Sequence, residues 1–334
     1  MAFEINGKLY NKTLIHYVPH GIDSNVFKPL PKSDERLTLR RKDYFGNEDY
    51  KFVLCYNSRN VHRKRTSNVI LAFRTFCDNL TKEESSKCCL ILHTEIMSDA
   101  GTDLLAVKEA LCPDYKIIFS PNKIAPEDMC CLYNLADVTI CLSSNEGFGL
   151  STAESIMCGT PIIVNVTGGL QDQIGQVDDE GKPVVFNLEF GSNFVGKYKN
   201  HGVWAKPLWP AASYIQGSIP TPYILDDLCK WEDAAEAMMY WYRMTANQRE
   251  LCGMKGREWA MGEGGLNAKN MCKQFCDSMD FVFEHWRPSD GIELVTQNDF
   301  VGHRMPENKL GFAIPTINLD KVNEEINKTV GKLQ

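Results

Sequence analysis

The chain has 334 residues, 43% of them hydrophobic and 24% charged, which is typical of a globular protein with one large or two ordinary domains. The formal net charge of −7 and a pI near 5.6 argue against a nucleic-acid partner, because such partners usually need a basic face. No uninterrupted apolar stretch has the length of a membrane span, and Met1 to Lys12 lacks the apolar core of a signal peptide, so we expect neither.

The first 50 residues contain one apolar, strand-like run at 13–18. A turn at 19–23, with the sequence Pro-His-Gly-Ile-Asp, and then a charged segment follow this run. We predict that residues 1–50 form an N-terminal segment ahead of the main domain.

Between residues 51 and 164, five short apolar runs alternate with amphipathic segments. The runs predicted as strands are 51–57, 88–93, 115–119, 137–142 and 161–164. The segments predicted as helices are 67–80, 102–111, 126–135 and 150–157. Near-continuous apolar strands with helical crossovers indicate a parallel sheet covered on both faces, a Rossmann-like α/β fold with strand order 3-2-1-4-5.

The rest of the chain is less regular. Residues 174–230 are rich in Gly, Pro and aromatic residues and read as a long loop region with one or two short strands. Helices are predicted at 231–244, 246–260 and 268–286, and the tail after Pro288 ends in a short helix at 319–330. The predicted domains are therefore 1–50, a Rossmann-like domain at 51–287, and a tail at 288–334.

Thirteen cysteines are present, and their odd number and irregular spacing fit no zinc or disulfide framework. Several fall within apolar strand or helix patterns, where a free thiol behaves as a small hydrophobic group. We interpret them as reduced, buried residues of a cytoplasmic protein, with metal binding a remote second reading.

Two loops should face each other at the carboxyl edge of the sheet, where ligands bind in this fold. One loop, 58–65, follows the first predicted strand and carries Arg59 and Lys64; the other, 143–149, follows the fourth strand and opens a helix. Positively charged side chains that face a glycine-containing helix N-terminus form an arrangement that can bind a diphosphate. A solvated basic patch, or a nuclear-localisation-like run at 62–65, is the alternative, and we read Arg63 and Arg65 as surface charges.

Glu146 and Glu154 are eight residues apart, and eight residues of helix would span about 12 Å. That distance is too long for the two carboxylates of a glycosidase to flank one scissile bond. Carboxylates accept hydrogen bonds from vicinal hydroxyls, so the pair suits the two ends of one long ligand. A distal sugar would lie near Glu146 and a ribose near Glu154.

The block from Glu146 to Glu154 reads Glu-Gly-Phe-Gly-Leu-Ser-Thr-Ala-Glu. Cys-Gly-Thr-Pro-Ile-Ile-Val follows at 158–164, and Thr-Gly-Gly-Leu at 167–170. Together these segments resemble the donor motif of family 4 glycosyltransferases, which are GT-B enzymes of the glycogen-synthase and sucrose-synthase type. The resemblance covers roughly residues 14–285.

The basic loop also resembles that family, which has a Gly-Arg pair and a following Lys. Ser58-Arg59 and Lys64 match this pattern, although Ser58 and Arg65 stand where the family usually has glycines. The resemblance implies transfer with retention of configuration from a nucleoside-diphosphate sugar, without a metal or further cofactor. It assigns catalytic roles to three residues: Glu146, Arg59 and Lys64. It assigns donor binding to a larger set: Glu154, Gly147, Phe148, Gly149, Leu150, Ser151, Gly168 and Gly169.

The resemblance also implies a second, acceptor-binding domain ahead of residue 1, since the segment from Pro19 to Pro29 resembles the junction between the two domains of GT-B enzymes. We therefore expect a separate chain, an oligomer partner or a truncated sequence to account for that domain. The alternatives are a non-catalytic half-GT-B module that docks another protein, or a sugar-nucleotide epimerase or phosphorylase on the same fold. The base, the sugar and the acceptor are not readable from the sequence.

Several other aromatic and polar residues have simple structural interpretations. We expect His93 to be a structural hydrogen-bonding residue and His20 to belong to a turn. Trp204 and Trp209 are interpreted as packing anchors of a long loop, with stacking on a base or sugar as the alternative. The turn at 167–169 is read equally as plain turn chemistry or as a ligand contact, and residues 171–173 receive no role.

Overall fold

The computed structural model describes residues 2–5, 8–11, 16–184, 191–194, 196–218 and 221–285. The chain divides into two compact units, Met1–Glu284 and His285–Gln334, and all the described residues except His285 lie in the first. The whole of the predicted tail at 288–334, with its predicted helix at 319–330, lies outside the described residues. No described helix combines the length and the apolar character needed to cross a membrane.

The first unit contains a six-stranded parallel sheet and two small antiparallel hairpins. Its strands are β1 Ala2–Ile5, β2 Lys8–Asn11, β3 Phe52–Asn57, β4 Cys88–His93, β5 Ile117–Phe119, β6 Val138–Cys141, β7 Ile162–Asn165, β8 Ala205–Leu208, β9 Ala212–Ser218 and β10 Thr221–Leu228. Its helices are α1 Glu35–Phe45, α2 Thr66–Asp78, α3 Lys82–Ser85, α4 Leu104–Leu111, α5 Pro126–Leu135, α6 Leu150–Met157, α7 Trp231–Tyr242, α8 Ala246–Met261 and α9 Ala268–His285. Two 3₁₀ turns, His62–Lys64 and Gly168–Gln173, are also present among the described residues.

The parallel sheet has the order β5-β4-β3-β6-β7-β8, so β3 and β6 lie side by side at its centre. The central strands are almost wholly buried because helices cover both faces. On one face Phe52 and Leu54 of β3 pack with α2 and α7. On the other face Val53 and Cys55 of the same strand pack with α5 and α6, as side-chain alternation along a strand requires. The predicted Rossmann-like α/β fold is confirmed.

Most predicted elements appear within a residue or two of their expected bounds, and 174–230 differs most. This region contributes three strands rather than one or two. β8 adds a sixth strand to the parallel sheet beside β7, while β9 and β10 form a separate antiparallel hairpin. The prediction failed because β8 contains Pro207 and β9 carries Gly217, residues that weaken the strand signal of a sequence.

The N-terminal part holds a helix, α1, that the sequence analysis missed. Asp34 caps its first turn. Only Leu37 and Phe45 of this helix are buried, and most of its other residues are charged, so its sequence lacks a clear helical repeat of apolar residues. Arg40 of α1 forms an ion pair with Asp128 of α5 at 2.8 Å. The strand expected at 13–18 is not seen where the chain is described, at residues 16–18; the rest of it lies outside the described residues.

The thirteen cysteines all lie in the described residues, and none forms a disulfide. Nine are buried, two are partly exposed, and Cys272 and Cys276 are exposed on α9. The reading of the buried thiols as small core residues is confirmed for these nine. No group of three His, Cys, Asp or Glu within the described ranges lies close enough to hold a metal ion.

Candidate functional site

A cavity of about 540 Å³ opens at the carboxyl edge of the sheet, between the loop after β3 (residues 58–65, the β3 loop) and the loop after β6 (residues 142–149, the β6 loop). The two loops follow β3 and β6, which lie side by side at the centre of the sheet. The prediction that the loops face each other is therefore confirmed. The predicted site residues that line this cavity are Arg59, Lys64, Glu146, Phe148, Gly149, Leu150, Ser151 and Glu154.

Glu146 is the charged centre of the cavity wall. Its side chain is only 7% exposed, and its Oε1 accepts hydrogen bonds from the Lys64 ammonium and from the Ser143 hydroxyl, the latter at 2.9 Å. Burial by itself would raise the pKa of this carboxyl, but the attraction of Lys64 and then of Arg63 lowers it. Glu146 is therefore a buried carboxylate held ionised by its cations.

Arg63 belongs to the same cluster. Its Nη1 donates to the Asn145 carbonyl at 2.6 Å and lies 3.3 Å from Glu146 Oε2, although 38% of the side chain is exposed. The reading of Arg63 as a surface charge was wrong, because the 3₁₀ turn His62–Lys64 directs two consecutive basic side chains to one carboxylate. Sequence spacing alone does not reveal such a turn.

Arg59 differs from these residues because its charge is uncommitted. It is exposed, lines the cavity, and has no hydrogen-bonding or ionic partner for its side chain in the described part of the chain. A guanidinium in this position can donate two parallel hydrogen bonds to a phosphate.

The N-terminus of α6 faces the cavity through Gly149, Leu150 and Ser151. Gly149 adopts φ +90, and no side chain in the described part of the chain caps the helix, so its first N–H groups stay available to a ligand. Gln173 holds this turn: its Nε2 donates to the carbonyls of Phe148 and Gly149 at 2.6 and 3.0 Å, and its Oε1 accepts from Thr152 at 2.7 Å. No local sequence pattern indicates this role of Gln173.

Gly168 and Gly169 lie behind the β6 loop and do not line the cavity. The Gly169 N–H donates to the Glu146 carbonyl at 3.0 Å, and a Cβ on Gly168, which has φ +51, would overlap that same carbonyl oxygen. The two glycines thus allow a close backbone approach that supports Glu146. Gly147 also lies outside the lining, and a ligand contact of these three glycines stays a prediction.

Glu154 occupies the other end of the cavity, one helix turn from the end of α6. Its Oε2 accepts a hydrogen bond from the Tyr133 hydroxyl at 2.8 Å, and Tyr133 accepts one from Asn57 Nδ2 at 2.8 Å. Burial, partly offset by the Tyr133 hydrogen bond, raises the pKa of Glu154 to about 6. Sequence reasoning missed Tyr133, since within α5 it is indistinguishable from a core residue.

Two histidines line the cavity. His93 Nδ1 lies 3.0 Å from the Ser120 hydroxyl, which confirms its hydrogen-bonding role, and burial lowers its pKa. The ring of His20 lies 5.2 Å from that of Phe148, so this residue belongs to the cavity wall as well as to a turn. The hydroxyl of Thr94, also in the wall, is buried without a partner among the described residues.

The two tryptophans of the irregular region are packing residues in this structure. The Trp204 ring lies 4.9 Å from that of Trp259, and its Nε1 donates to the Gln173 carbonyl at 3.1 Å. Trp209 packs against Phe194, with ring centroids 4.9 Å apart. Neither tryptophan lines the cavity.

Arg65 is not a simple surface charge either. It is only partly exposed, its guanidinium donates to the Tyr214 hydroxyl of the β9–β10 hairpin, and it lies 5.6 Å from the centre of that ring. The surface reading was therefore wrong for Arg65 too. Its partner lies 149 residues further along the chain, which no local pattern indicates.

The fold defines a Rossmann-like domain with a cavity at the carboxyl edge of its sheet, and part of it matches a known protein family. Residues 39–181 match the family model described as "Glycosyl transferases group 1". The matched segment contains β3 to β7 and both cavity loops. The predicted resemblance to this family is confirmed over the matched segment.

Curated relatives show the same resemblance. Over 160 residues the chain is 31% identical to the mannosylfructose-phosphate synthase of Agrobacterium fabrum, an alignment that covers 47% of this chain and 33% of that protein. It is 33% identical over 177 residues to the D-inositol 3-phosphate glycosyltransferase of Salinispora arenicola, covering 51% of this chain and 39% of that one. The matched region is thus well under half the length of either relative.

Solved structures share the fold at low identity. A glycosyltransferase from Rickettsia africae superposes with a TM-score of 0.56 at 15% identity, covering 80% of this chain and 57% of that chain. The Anabaena protein HepE, solved in complex with UDP and glucose, gives a TM-score of 0.54 at 15% identity, covering 79% and 56%. These likenesses support the fold alone.

Proposed function

We propose that this chain is a glycosyltransferase, or the donor-binding part of one, that holds a nucleoside-diphosphate sugar in the cavity and transfers the sugar with retention of configuration. The observation that carries the proposal is the arrangement of Lys64, Glu146 and the uncapped N-terminus of α6 around one cavity. Cations and free N–H groups suit a diphosphate, and the carboxylate suits sugar hydroxyls. The cavity volume is in the range of small-ligand sites.

The two glutamates set the direction of the ligand. Glu146 lies before α6 and beside the cations, so it would accept hydrogen bonds from the transferred sugar. Glu154 lies in the third position before the helix ends and would accept them from the ribose. The diphosphate would then span Gly149 and Leu150, with Arg59 free to bind it from the β3 loop.

The catalytic effect would be mainly electrostatic. Transfer breaks the bond between the anomeric carbon and a diphosphate oxygen, which keeps the electron pair, while the acceptor oxygen forms the new bond and gives up its proton to the departing diphosphate. Lys64, Arg59 and the α6 amides would stabilise the charge that develops on that diphosphate. These groups supply the positive charge themselves, so the proposal includes no divalent metal and no further cofactor.

Calorimetric titration with UDP, GDP and ADP, each with and without EDTA, tests the proposal. We expect one of the three to bind with micromolar to millimolar affinity, with no change on adding EDTA. Turnover of the matching nucleotide sugars, by hydrolysis or with a supplied partner chain and acceptor, then tests transfer. If none of the three nucleotides binds, a non-catalytic module on this fold is the better account; binding with no turnover under any condition would contradict catalysis by this chain.

Binding should also depend on pH through Glu154, whose pKa lies near 6. A carboxylate that accepts ribose hydrogen bonds must be ionised, so affinity should fall by up to about tenfold per pH unit below 6. Glu154→Gln should bind more weakly at pH 7.5 and show a nearly flat profile from pH 7.5 to 5. Equal pH profiles for the two proteins would argue against a ribose contact at Glu154.

The raised pKa of Glu154 also affects the stability of the protein without a ligand. Because the folded pKa of Glu154 is raised, its contribution to stability is fully present below the ordinary carboxyl pKa and is lost as the pH rises through about 6. Urea unfolding of the wild type and of Glu154→Gln at pH 5 and pH 7.5 separates this effect from ligand binding.

A further inference from the structure

The β9–β10 hairpin stands beside both cavity loops and is buried only at its root. Asp226 and Asp227, near the end of β10, are 3% and 1% exposed. Further out, Ile215 and Tyr223 are 70% and 77% exposed, so this part of the hairpin adds little to the core. The root therefore holds the hairpin against the loops through polar contacts.

The first contact reaches the β3 loop at Arg65. Among the described residues, Arg65 is the only non-glycine residue with a positive φ, +54, and it directly follows Lys64. Its guanidinium donates to the Tyr214 hydroxyl, while its Nε is buried without a partner in the described part of the chain. A strained backbone with an unsatisfied donor persists only where its surroundings hold it, and such positions cluster at functional sites.

The second contact reaches the β6 loop at Ser144. Asp226 Oδ2 accepts hydrogen bonds from the Ser144 hydroxyl at 2.9 Å and from the Tyr214 hydroxyl at 3.1 Å. The Asp227 N–H donates to the Ser144 carbonyl at 2.8 Å, and the Ser144 N–H donates to the Arg63 carbonyl at 2.8 Å. One carboxylate thus joins the hairpin to the loop that carries Glu146.

We propose that the β9–β10 hairpin is a positioning element of the cavity: Tyr214 and Asp226 hold Arg65 and Ser144, and so hold Lys64 and Glu146 at their mutual position. Each of the two anchored residues is within two positions of the charged group that it would place. The hairpin residues do not line the cavity, so they act through the loops rather than on a ligand. The consequences for nucleotide binding rest on the proposed function; the effect on loop rigidity does not.

Amide hydrogen exchange tests the loop effect without any ligand. Tyr214→Phe removes one hydroxyl and keeps the ring under Arg65, while Tyr223→Phe removes a hydroxyl from an exposed position of the same hairpin. We expect the Arg65 and Ser144 amides to exchange about tenfold faster in Tyr214→Phe than in the wild type, and at the wild-type rate in Tyr223→Phe. Equal exchange at these two amides in all three proteins would overturn the proposal.

Nucleotide binding provides the second test, using whichever of UDP, GDP and ADP binds the wild type. Affinity should fall about tenfold in Tyr214→Phe and equally in Arg65→Gly, which relaxes the backbone but removes the tether. In a Lys64→Ala background, Tyr214→Phe should cause a smaller loss than in the wild type, because the part of its effect that acts through Lys64 is already gone. Additive losses would show that Tyr214 does not act through Lys64. If the wild type binds none of the nucleotides, the proposed function fails while the exchange result still decides the role of the hairpin.

Discussion

Lys64→Ala is expected to lower turnover of the nucleotide sugar by about two to three orders of magnitude, the usual cost of removing one preorganised group that stabilises developing charge. Lys64 lines the cavity, is largely buried, and would stand beside the departing diphosphate. Arg59 and the α6 amides would remain, which is why some turnover should persist. Steady-state kinetics with the nucleotide sugar that binds best would measure the effect.

The controls for Lys64→Ala must separate catalysis from folding. Removing the ammonium leaves the buried Glu146 carboxylate with Arg63 and Ser143 as its partners, so some loss of stability is expected too. Circular dichroism and thermal melting show whether the variant is folded at the assay temperature. Lys87→Ala removes an exposed lysine at the opposite edge of the sheet and should change nothing. Near-normal turnover in folded Lys64→Ala would rule out this role for Lys64.

Gly168→Ala is expected to have the second largest effect, because its Cβ would overlap the carbonyl oxygen of Glu146. The left-handed backbone at φ +51 costs about 1–2 kcal/mol for a residue with a Cβ, and overpacking typically adds about 1–3 kcal/mol. Relief of the overlap would move the β6 loop and with it the Glu146 carboxylate. Both the free energy of unfolding and nucleotide-sugar turnover should therefore fall.

Gly181→Ala is the matched control for this substitution. Gly181 also has a positive φ, +79, but no atom of the described residues lies within 4 Å of the Cβ it would gain. It should show only the backbone cost of about 1–2 kcal/mol and unchanged turnover. Denaturant unfolding and kinetics of the two variants distinguish the alternatives. If Gly168→Ala behaves like Gly181→Ala, Gly168 does not support Glu146.

The sequence predicted the sheet and the cavity loops because their signals are local. Apolar runs with helical crossovers specify buried parallel strands, and β4, α5 and α6 begin and end at the predicted residues. Pro126 marks the start of α5, and the glycines ahead of Leu150 mark that of α6. The strand order then places the two loops together, so one site containing Lys64 and Glu146 was predicted from the sequence, although their ion pair was not.

Elements with a weak local sequence pattern were not predicted correctly. α1 has few buried residues, and β8 to β10 contain Pro, Gly and exposed apolar residues. The helical spacing of α1 and the strand alternation of β8 to β10 therefore do not stand out in the sequence. The roles of Arg63, Arg65 and Gln173 were missed for another reason. Each role depends on a contact with a side chain or carbonyl that is distant in the sequence, and a local sequence pattern does not reveal such contacts.

The sequence by itself thus determined the fold class, the family resemblance and the candidate residues of the cavity, because periodicity and short motifs are properties of neighbouring residues. Only the tertiary structure decided how those residues are held. Lys64 meets Glu146 across 82 residues, and Arg65 meets Tyr214 across 149. Such contacts depend on the packing of whole elements, and for that reason the bracing of the cavity by Gln173, Gly168 and the β9–β10 hairpin is visible only in the folded chain.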